Sequence, residues 1–255
     1  MSILDNMNTA SDVQQETEDR VQGEGFKPID SDLYDATIDY AFLDVSKGGA
    51  IQVRLEMTTD DGKKVRDSQW ITSGTKKGCK TYYFERDPKT KKETTNKRYL
   101  PGFIMINDLV SVATGFPFAL DIKTEKRTIE LYDFTARAQK QTEVEMIVGL
   151  LGKKVSVAVM SVIQDKEALN DATGKYEPTG KTTSKNEVKK YLHAGDNKTL
   201  IELKAKAPDA VFAPKWLKTW KGKVDDTSTT TANAGVAGTP AASGDQAPQE
   251  SIFAN

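Results

Sequence analysis

Basic and aromatic side chains are interleaved between residues 63 and 103, in the run KKVRDSQWITSGTKKGCKTYYFERDPKTKKETTNKRYLPGF. Residues 63–98 contain twelve lysines and arginines but only four acids, so this stretch carries a local net charge of +8. The whole chain has a formal net charge of −1, which hides the asymmetry. Cationic side chains neutralise phosphates and aromatic rings stack on bases. The stretch therefore predicts a surface that binds single-stranded nucleic acid.

The residues that we expect to bind nucleic acid form two chemical groups. The predicted stacking aromatics are Trp70, Tyr82, Tyr83, Phe84 and Tyr99. The predicted cationic contacts are Arg54, Lys64, Arg66, Lys76, Lys77, Lys80, Arg86, Lys97 and Arg98. A second interpretation stays open, because a basic run is often a solvated face and strand aromatics often belong to the core.

Composition limits the class of protein. A chain of 255 residues is long enough to bury a real core in one large domain or two small ones. A single cysteine excludes an internal disulfide, and one cysteine with one histidine argues against a zinc site. We expect no cofactor. The N-terminus shows no signal-peptide pattern, and no apolar run approaches the ~20 residues that span a bilayer, so we expect a cytoplasmic protein.

Composition also divides the chain into three parts. Residues 1–24 predict an acidic flexible arm, residues 25–222 the nucleic-acid-binding domain, and residues 223–255 a disordered acidic tail rich in Thr, Ala, Gly and Pro. We expect the tail to bind partner proteins through Asp245, Glu250, Ile252 and Phe253. The alternative is a solubilising tail without a partner.

Hydrophobic alternation predicts three antiparallel strands in residues 34–42, 51–57 and 63–72. In the first, Tyr34, Ala36, Ile38, Tyr40 and Phe42 are expected on one face. The outer face of this meander would carry Arg54, Lys64, Arg66 and Trp70. Trp70 breaks the alternation, since its position should be polar. It is either covered by another element or exposed as a stacking platform.

Further elements follow the meander. Residues 72–80 predict a flexible basic loop, and residues 86–98 an exposed hairpin tip. The remaining predicted elements are helices at 104–115, 143–151, 199–206 and 210–221, and strands at 123–132 and 153–163. In the first helix, Ile104, Leu109, Val110 and Val112 are expected to face the sheet. Trp216 and Trp220 lie four residues apart and are expected to dock on the core.

Two other classes of function remain open. Scattered carboxylates at Asp39, Asp44, Glu56, Asp60 and Asp61 could hold Mg²⁺ in a metal-dependent nuclease, although they fit turns and solvent faces equally well. The chain could also be a structural or assembly protein whose basic loop binds an acidic protein partner. Cys79 and His193 could form a nucleophile and base, but nothing in the sequence would orient them. We expect no enzymatic activity.

Seven segments, taken as a set, resemble a known family. They are GEGFKP with LYD (23–35), SKGGA (46–50), WITSG with a following KG (70–78), YLPGF (99–103), LYDF (131–134), LLGK (150–153) and NDATGKYEPTG (170–180). The set resembles bacteriophage single-stranded DNA-binding proteins of replication and recombination, over roughly residues 23–221.

The resemblance implies a fold and a set of partners. The fold is mainly β with peripheral helices, an OB-like Greek-key barrel whose open face binds oligonucleotides. The protein would coat and protect single-stranded DNA, and its tail would contact replication proteins such as a polymerase or a helicase/primase. A homo-oligomer is compatible with it. The tail departs from the family pattern, because it is poor in acids and Phe253 is followed by Ala254 and Asn255.

Overall fold

The computed structural model describes residues 27–115, 123–133, 136–170 and 173–229. Strands account for 51% of the structure and helices are few, which confirms the predicted mainly-β class. The expected arm at 1–24 and the tail beyond residue 229 lie outside the described residues. No helix in the described part of the chain has the length and apolar character needed to cross a membrane.

In the described residues the strands are β1 (Asp32–Val45), β2 (Ile51–Thr59), β3 (Lys64–Trp70), β4 (Tyr82–Arg86), β5 (Glu93–Tyr99), β6 (Glu125–Asp133), β7 (Ala138–Met146), β8 (Lys154–Asn170), β9 (Lys175–His193) and β10 (Val224–Asp226). The helices are α1 (Pro101–Thr114), α2 (Leu200–Lys204) and α3 (Phe212–Trp220). The main sheet has the strand order β10-β8-β1-β2-β3, with β9 on the other edge of β8 and β6 paired to β7. Strands β4 and β5 form a separate hairpin.

Strand β1 is the centre of the sheet and has three antiparallel partners. Residues 32–37 pair with β8, residues 36–45 pair with β2, and Phe42 and Leu43 also pair with β7. A register shift between Ile38 and Tyr40 exchanges the faces of the strand. The single-face prediction for β1 was therefore wrong beyond Ile38. Tyr40 and Phe42 lie on the outer face, while Ala41 lies in the core.

Helix α1 packs against the inner face of the sheet through buried side chains that include Phe103, Ile106 and Leu109. The helix ends at Gly115 in the left-handed conformation, as predicted, and the Gly115 N–H donates to the Ser111 carbonyl. Val110 and Val112 are buried as predicted, but Ile104 is 43% exposed. The helix begins at Pro101, so Phe103 and Ile106 occupy the core-facing positions of its first turns.

The predicted helix at 143–151 is wrong. Strand β7 extends to Met146, and only a single 3-10 turn follows at Val148–Leu150. The four residues whose spacing suggested a helix do not share one surface. Val144, Val148 and Leu151 pack in the cluster around Phe42, whereas Ile147 belongs to the main core.

Helix α3 packs on the outer face of β8, where Trp216 is buried against Ala158 and Met160, with Trp220 beside them. The predicted core docking of both tryptophans is confirmed. The expected start of the tail at residue 223 needs correction, because β10 pairs in parallel with β8. The Thr227 N–H then donates to the Ile163 carbonyl at 2.9 Å. Regular structure therefore continues to Asp226.

Strands β3 and β9 lie side by side without a hydrogen-bonded ladder, so the sheet is not closed into the expected barrel in the described residues. The Tyr191 hydroxyl on β9 donates to Asp67 Oδ2 on β3 at 2.6 Å. Burial raises the pKa of Asp67, and burial together with the Asp67 charge raises the pKa of Tyr191 well above its ordinary value. This hydrogen bond links the two edges where no ladder does.

Tyr191→Phe should destabilise the protein by about 1–3 kcal/mol at pH 7, because the Asp67 carboxylate loses a donor in a buried setting. The hydroxyl keeps the pKa of Asp67 lower than burial alone would set it. The cost should therefore be largest where Asp67 is ionised and should shrink as the pH falls towards the ordinary aspartate range. Urea unfolding over a pH series measures both effects.

Tyr34→Phe is the matched control, since the Tyr34 hydroxyl donates to the Asp30 carbonyl at an exposed position. Its free energy of unfolding should change by no more than about 0.5 kcal/mol. Equal costs for the two variants would contradict a structural role for the Asp67–Tyr191 bond.

Candidate nucleic-acid interface

The outer face of the β1–β2–β3 meander is built from three cross-strand rows. Each row takes one residue from each strand, in the order β1, β2, β3. The rows are Tyr40–Glu56–Arg66, Phe42–Arg54–Ser68 and Asp44–Gln52–Trp70. The predicted placement of Arg54, Lys64, Arg66 and Trp70 on this face is confirmed. Trp70 lies at the end of β3, where the sheet meets the loops.

Trp70 is 47% exposed, so it is not covered by another element. Helix α3, which could have covered it, packs on β8. The backbone of Trp70 is fixed by Gly102 in the first turn of α1. A Cβ added at Gly102 would overlap the Trp70 carbonyl oxygen and lie 3.0 Å from its amide nitrogen. Because Gly102 has no side chain, the first turn of α1 can pack directly against the backbone at the end of β3.

A groove of ≈ 840 Å³ opens beside Trp70. Three segments form its walls. They are the SKGGA turn at Lys47 and Gly48, the end of β3 with the loop that follows it (Ser68, Gln69, Trp70, Thr72, Ser73, Gly74, Thr75, Lys76, Lys77), and the start of α1 (Leu100, Pro101, Gly102). None of these residues is acidic. The groove therefore combines one exposed indole with three ammonium groups.

The loop at 72–80 was predicted to be flexible, but hydrogen bonds fix residues 73–80 against the SKGGA turn. The Thr75 N–H donates to the Gly48 carbonyl at 2.9 Å, and the Lys80 N–H donates to Ser73 Oγ at 2.9 Å. A Cβ at Gly74 would lie only 2.7 Å from the Gly48 oxygen. A 3-10 turn at Thr75–Lys77 then presents two lysines at the groove.

The N-terminus of α1 adds to the positive potential of the groove. Leu100, Pro101 and Gly102 all line it, and no side chain caps the first turn of the helix. The N-terminal end of a helix carries a partial positive charge that favours anions. The same groove therefore offers lysines and a helix terminus to a phosphate.

One face of the β4–β5 hairpin carries three of the predicted aromatics. Tyr82 pairs across the strands with Tyr99, and Phe84 pairs with Lys97. The Lys97 ammonium lies 5.0 Å from the centroid of Tyr82, and the Lys80 ammonium lies 5.6 Å from that of Phe84. These rings are thus already engaged by cations. Tyr99, which is 49% exposed, stacks on Phe103 at 4.9 Å.

The hairpin separates Tyr83 from the other rings. Tyr83 pairs with Arg98 on the opposite face, where Arg98 forms an ion pair with Glu85. Tyr83 is 45% exposed there. The four predicted aromatics of the hairpin therefore lie on two faces, because side chains alternate between the faces of a strand.

Most of the predicted cations already have carboxylate partners. Arg66 contacts Glu56 at 2.6 Å, and Lys64 contacts Asp39 at 3.0 Å and Glu56 at 3.2 Å. Burial favours neutral Glu56, but hydrogen bonds from Arg66 and Lys64 outweigh burial and lower its pKa. The other paired cations are Arg54 with Asp44, Arg86 with Glu93, and Arg98 with Glu85.

Four predicted cations form no ion pair with other described residues, namely Lys76, Lys77, Lys80 and Lys97. The groove adds Lys47, which sequence reasoning missed because SKGGA was interpreted only as a turn. Its position in the sequence carries no binding signal. Only the packing of the turn against the 73–80 loop brings Lys47 to the groove.

The carboxylates considered as metal ligands are each bound to a cation. Besides Asp39, Asp44 and Glu56, Asp60 contacts Lys154 at 3.3 Å and Asp61 contacts Lys63 at 2.8 Å. The described ranges contain no group of three or more His, Cys, Asp or Glu residues that could hold a metal ion. His193 pairs with Asp196, and Cys79 contacts the Gly49 carbonyl.

The four predicted tail residues, Asp245, Glu250, Ile252 and Phe253, lie outside the described residues. No protein-family model matches this chain, and no curated protein matches it either. Function is therefore inferred from the groove and from the residues around it.

Gly102→Ala should destabilise the protein by about 1–3 kcal/mol, because the new methyl group forces α1 away from the Trp70 backbone. At an ordinary helix position, a Gly→Ala substitution stabilises a protein by about 0.4–1 kcal/mol. At Gly102 we therefore expect a loss of stability where a gain is usual. Thermal unfolding measures the loss, and a shift in tryptophan emission reports on the surroundings of Trp70.

Gly48→Ala is the control for this substitution. Its added Cβ would meet only Ser46 Oγ, at 3.9 Å. Its free energy of unfolding should stay within about 0.5 kcal/mol of the wild-type value. A stable Gly102→Ala variant would contradict the tight contact between α1 and β3.

Proposed function

We propose that this chain is a non-enzymatic single-stranded DNA-binding protein that coats and protects the strand without reading its sequence. The observation that carries the proposal is the groove of ≈ 840 Å³ at Trp70, whose lining contains three lysines and no acid. Bases stack on the exposed indole while lysines neutralise the phosphates. Paired bases in a duplex present no free ring face, so single strands are preferred.

The binding surface continues from the groove to the β4–β5 hairpin. Ser73 in the groove wall binds the Lys80 backbone, and the Leu100 N–H donates to the Thr81 carbonyl at 2.8 Å. These bonds place the base of the hairpin beside the groove. Lys80 and Lys97 can transfer from the rings of Tyr82 and Phe84 to phosphates when bases stack on those rings.

The strand order supports an OB-type fold for this function. Strands β3-β2-β1-β8-β9 form a continuous series of five, and α1 connects the meander to the later strands. The Tyr191–Asp67 bond brings β9 next to β3 at the open seam. An OB-fold is a five-stranded, partly open Greek-key barrel that binds oligonucleotides on one face.

The biological setting in this proposal comes from the seven-segment resemblance. It places the protein in phage DNA replication or recombination, in the cytoplasm of the host cell. The tail residues Asp245, Glu250, Ile252 and Phe253 would then contact replication proteins such as a polymerase or a helicase/primase. Self-association along the DNA fits the same setting.

Oligo-dT should quench tryptophan fluorescence, and Trp70→Phe should remove most of that quenching. Trp216 and Trp220 pack with α3 on β8, so they act as internal references. Trp70→Ala should weaken binding by about 1–3 kcal/mol, the usual contribution of one base–aromatic stack. Unchanged quenching in Trp70→Phe would contradict stacking in this groove. Duplex DNA of the same length is the control ligand.

The logarithm of the binding constant should fall with the logarithm of salt concentration at a slope of about −3.5. Five lysines of this surface form no ion pair with other described residues (Lys47, Lys76, Lys77, Lys80 and Lys97), and each contributes about −0.7. If all nine predicted cations bound phosphates, the slope would approach about −6. Lys76→Ala and Lys77→Ala should each make the slope less negative by about 0.7. The exposed Lys175, on β9, is the matched control and should leave the slope unchanged.

The two other functions make different predictions. A nuclease would shorten labelled single strands in Mg²⁺ or Mn²⁺, whereas a binding protein leaves them intact. A protein that uses its lysines for an acidic protein partner would show no quenching with oligo-dT, and single-stranded DNA would not compete with that partner.

A further inference from the structure

We propose that the tip of the β4–β5 hairpin binds the duplex that borders a single strand, so that the protein recognises junctions between single- and double-stranded DNA. This inference rests on the proposed function and deepens it by naming a more specific ligand. The Trp70 groove and the aromatic base of the hairpin bind the unpaired strand. Lysines at the tip of the hairpin bind the phosphates of the duplex.

Aromatic residues occupy only the base of this hairpin. The cross-strand pairs there are Tyr82–Tyr99 and Phe84–Lys97. Residues 85–96, which lie beyond these pairs, contain no aromatic side chain. The rings that stack on unpaired bases are therefore confined to the base, and the tip offers charged and polar groups without a stacking surface.

The turn at the tip is rich in lysine. Lys89, Lys91 and Lys92 are exposed, and none of them forms an ion pair with another described residue. Residues 86–93 carry four cations against two acids, a net charge of +2. Both acids are already bound, since one contacts Arg86 and the other accepts hydrogen bonds from the turn. The three lysines are therefore available to phosphates.

Hydrogen bonds fix the shape of this turn. Asp87 Oδ1 accepts from the N–H groups of Thr90 and Lys89, at 2.7 and 2.9 Å, and these bonds lower the pKa of Asp87. The Asp87 N–H donates to the Lys92 carbonyl, and the Lys91 N–H donates to the Asp87 carbonyl, both at 2.9 Å. The backbone that carries the three lysines therefore has a defined geometry.

The rings and the tip lysines are several nucleotides apart. Tyr82 pairs with Tyr99 at the base, and Arg86, four residues further along β4, pairs with Glu93 near the tip. At about 3.3 Å per residue, this part of the hairpin is about 13 Å long. Stacked nucleotides are about 3.4 Å apart along one strand, so about four of them cover this length. The unpaired strand can therefore end, and a duplex begin, at the lysines.

Charge density favours a duplex at the tip over a continuing single strand. Double-stranded DNA carries one negative charge per about 1.7 Å of its axis, twice the density of one strand. Lysines without neighbouring rings gain nothing from unpaired bases, but they bind phosphates whether or not the bases are paired. In the described residues β4 and β5 pair only with each other, which leaves the exposed tip accessible to a duplex.

Three labelled ligands test the junction by fluorescence anisotropy. They are dT of about twelve residues, a duplex with the same dT as a 5′ or a 3′ tail, and the blunt duplex. The wild type should bind at least one tailed duplex about tenfold or more tighter than dT at low salt, because three duplex phosphates are added. The salt slope should become more negative by about 2.7, at about −0.9 for each phosphate. The blunt duplex should bind most weakly.

A variant with Lys89→Gln, Lys91→Asn and Lys92→Gln removes the three charges and keeps the turn. Asparagine suits position 91 because the backbone there is left-handed, with φ of 57°. The variant should bind dT like the wild type. It should lose the preference for the tailed duplex together with the additional salt slope.

The matched control replaces three exposed lysines of the β8–β9 hairpin with glutamine, at Lys166, Lys175 and Lys181. This control should keep the full preference for the tailed duplex. Thermal unfolding of both triple variants checks that the substitutions leave the fold intact.

The outcomes separate this inference from the proposed function. If the wild type binds dT and both tailed duplexes equally, the junction is overturned and the proposed function stands. The junction is also overturned if the tip variant loses the same factor on dT and on the tailed duplex, since the lysines would then serve the single strand. A tip variant that keeps the preference overturns it too. If the wild type binds neither dT nor a tailed duplex, the proposed function itself fails.

Discussion

The hydrogen-bond ladder of β1 is the constraint on which the rest of the structure depends. One strand of 14 residues pairs with β8, β2 and β7, and its register shift at Ile38/Tyr40 changes which side chains enter the core. The shift turns Phe42 outwards, where β7 covers it, and places Asp44 beside Gln52. Backbone pairing thereby sets which side chains form the outer face.

The distribution of ion pairs then divides that face into a neutralised centre and a positively charged end. Acids along β1 and β2 neutralise Arg54, Lys64 and Arg66, so the centre of the sheet is close to balanced. Among the described residues, the lysines without carboxylate partners around the groove lie mostly in loops, at Lys47, Lys76, Lys77 and Lys80. A phosphate that binds at Arg66 competes with Glu56, whereas Lys76 pairs with no carboxylate of the described residues. Net positive potential therefore concentrates at the ends of the strands, where the Trp70 groove opens.

Two close backbone contacts, each made possible by a glycine, position this groove. Gly102 allows α1 to contact the Trp70 backbone, and Gly74 allows its loop to contact the Gly48 carbonyl. At the other edge, one hydrogen bond between Tyr191 and Asp67 links strands that share no ladder. Close backbone contacts thus hold the groove, whereas a side-chain hydrogen bond joins β3 to β9 at the seam.

The sequence by itself determined the mainly-β class, the outward placement of Arg54, Arg66 and Trp70, and the docking of Trp216 and Trp220. Period-two alternation and helical spacing are local patterns, and burial follows them directly. Only the tertiary structure decided that Tyr83 is separated from the other rings, that Lys47 joins the groove, and that residues 143–146 form a strand. Ion pairing, strand register and the packing of one loop on another join residues that are distant in sequence, so no local pattern encodes them.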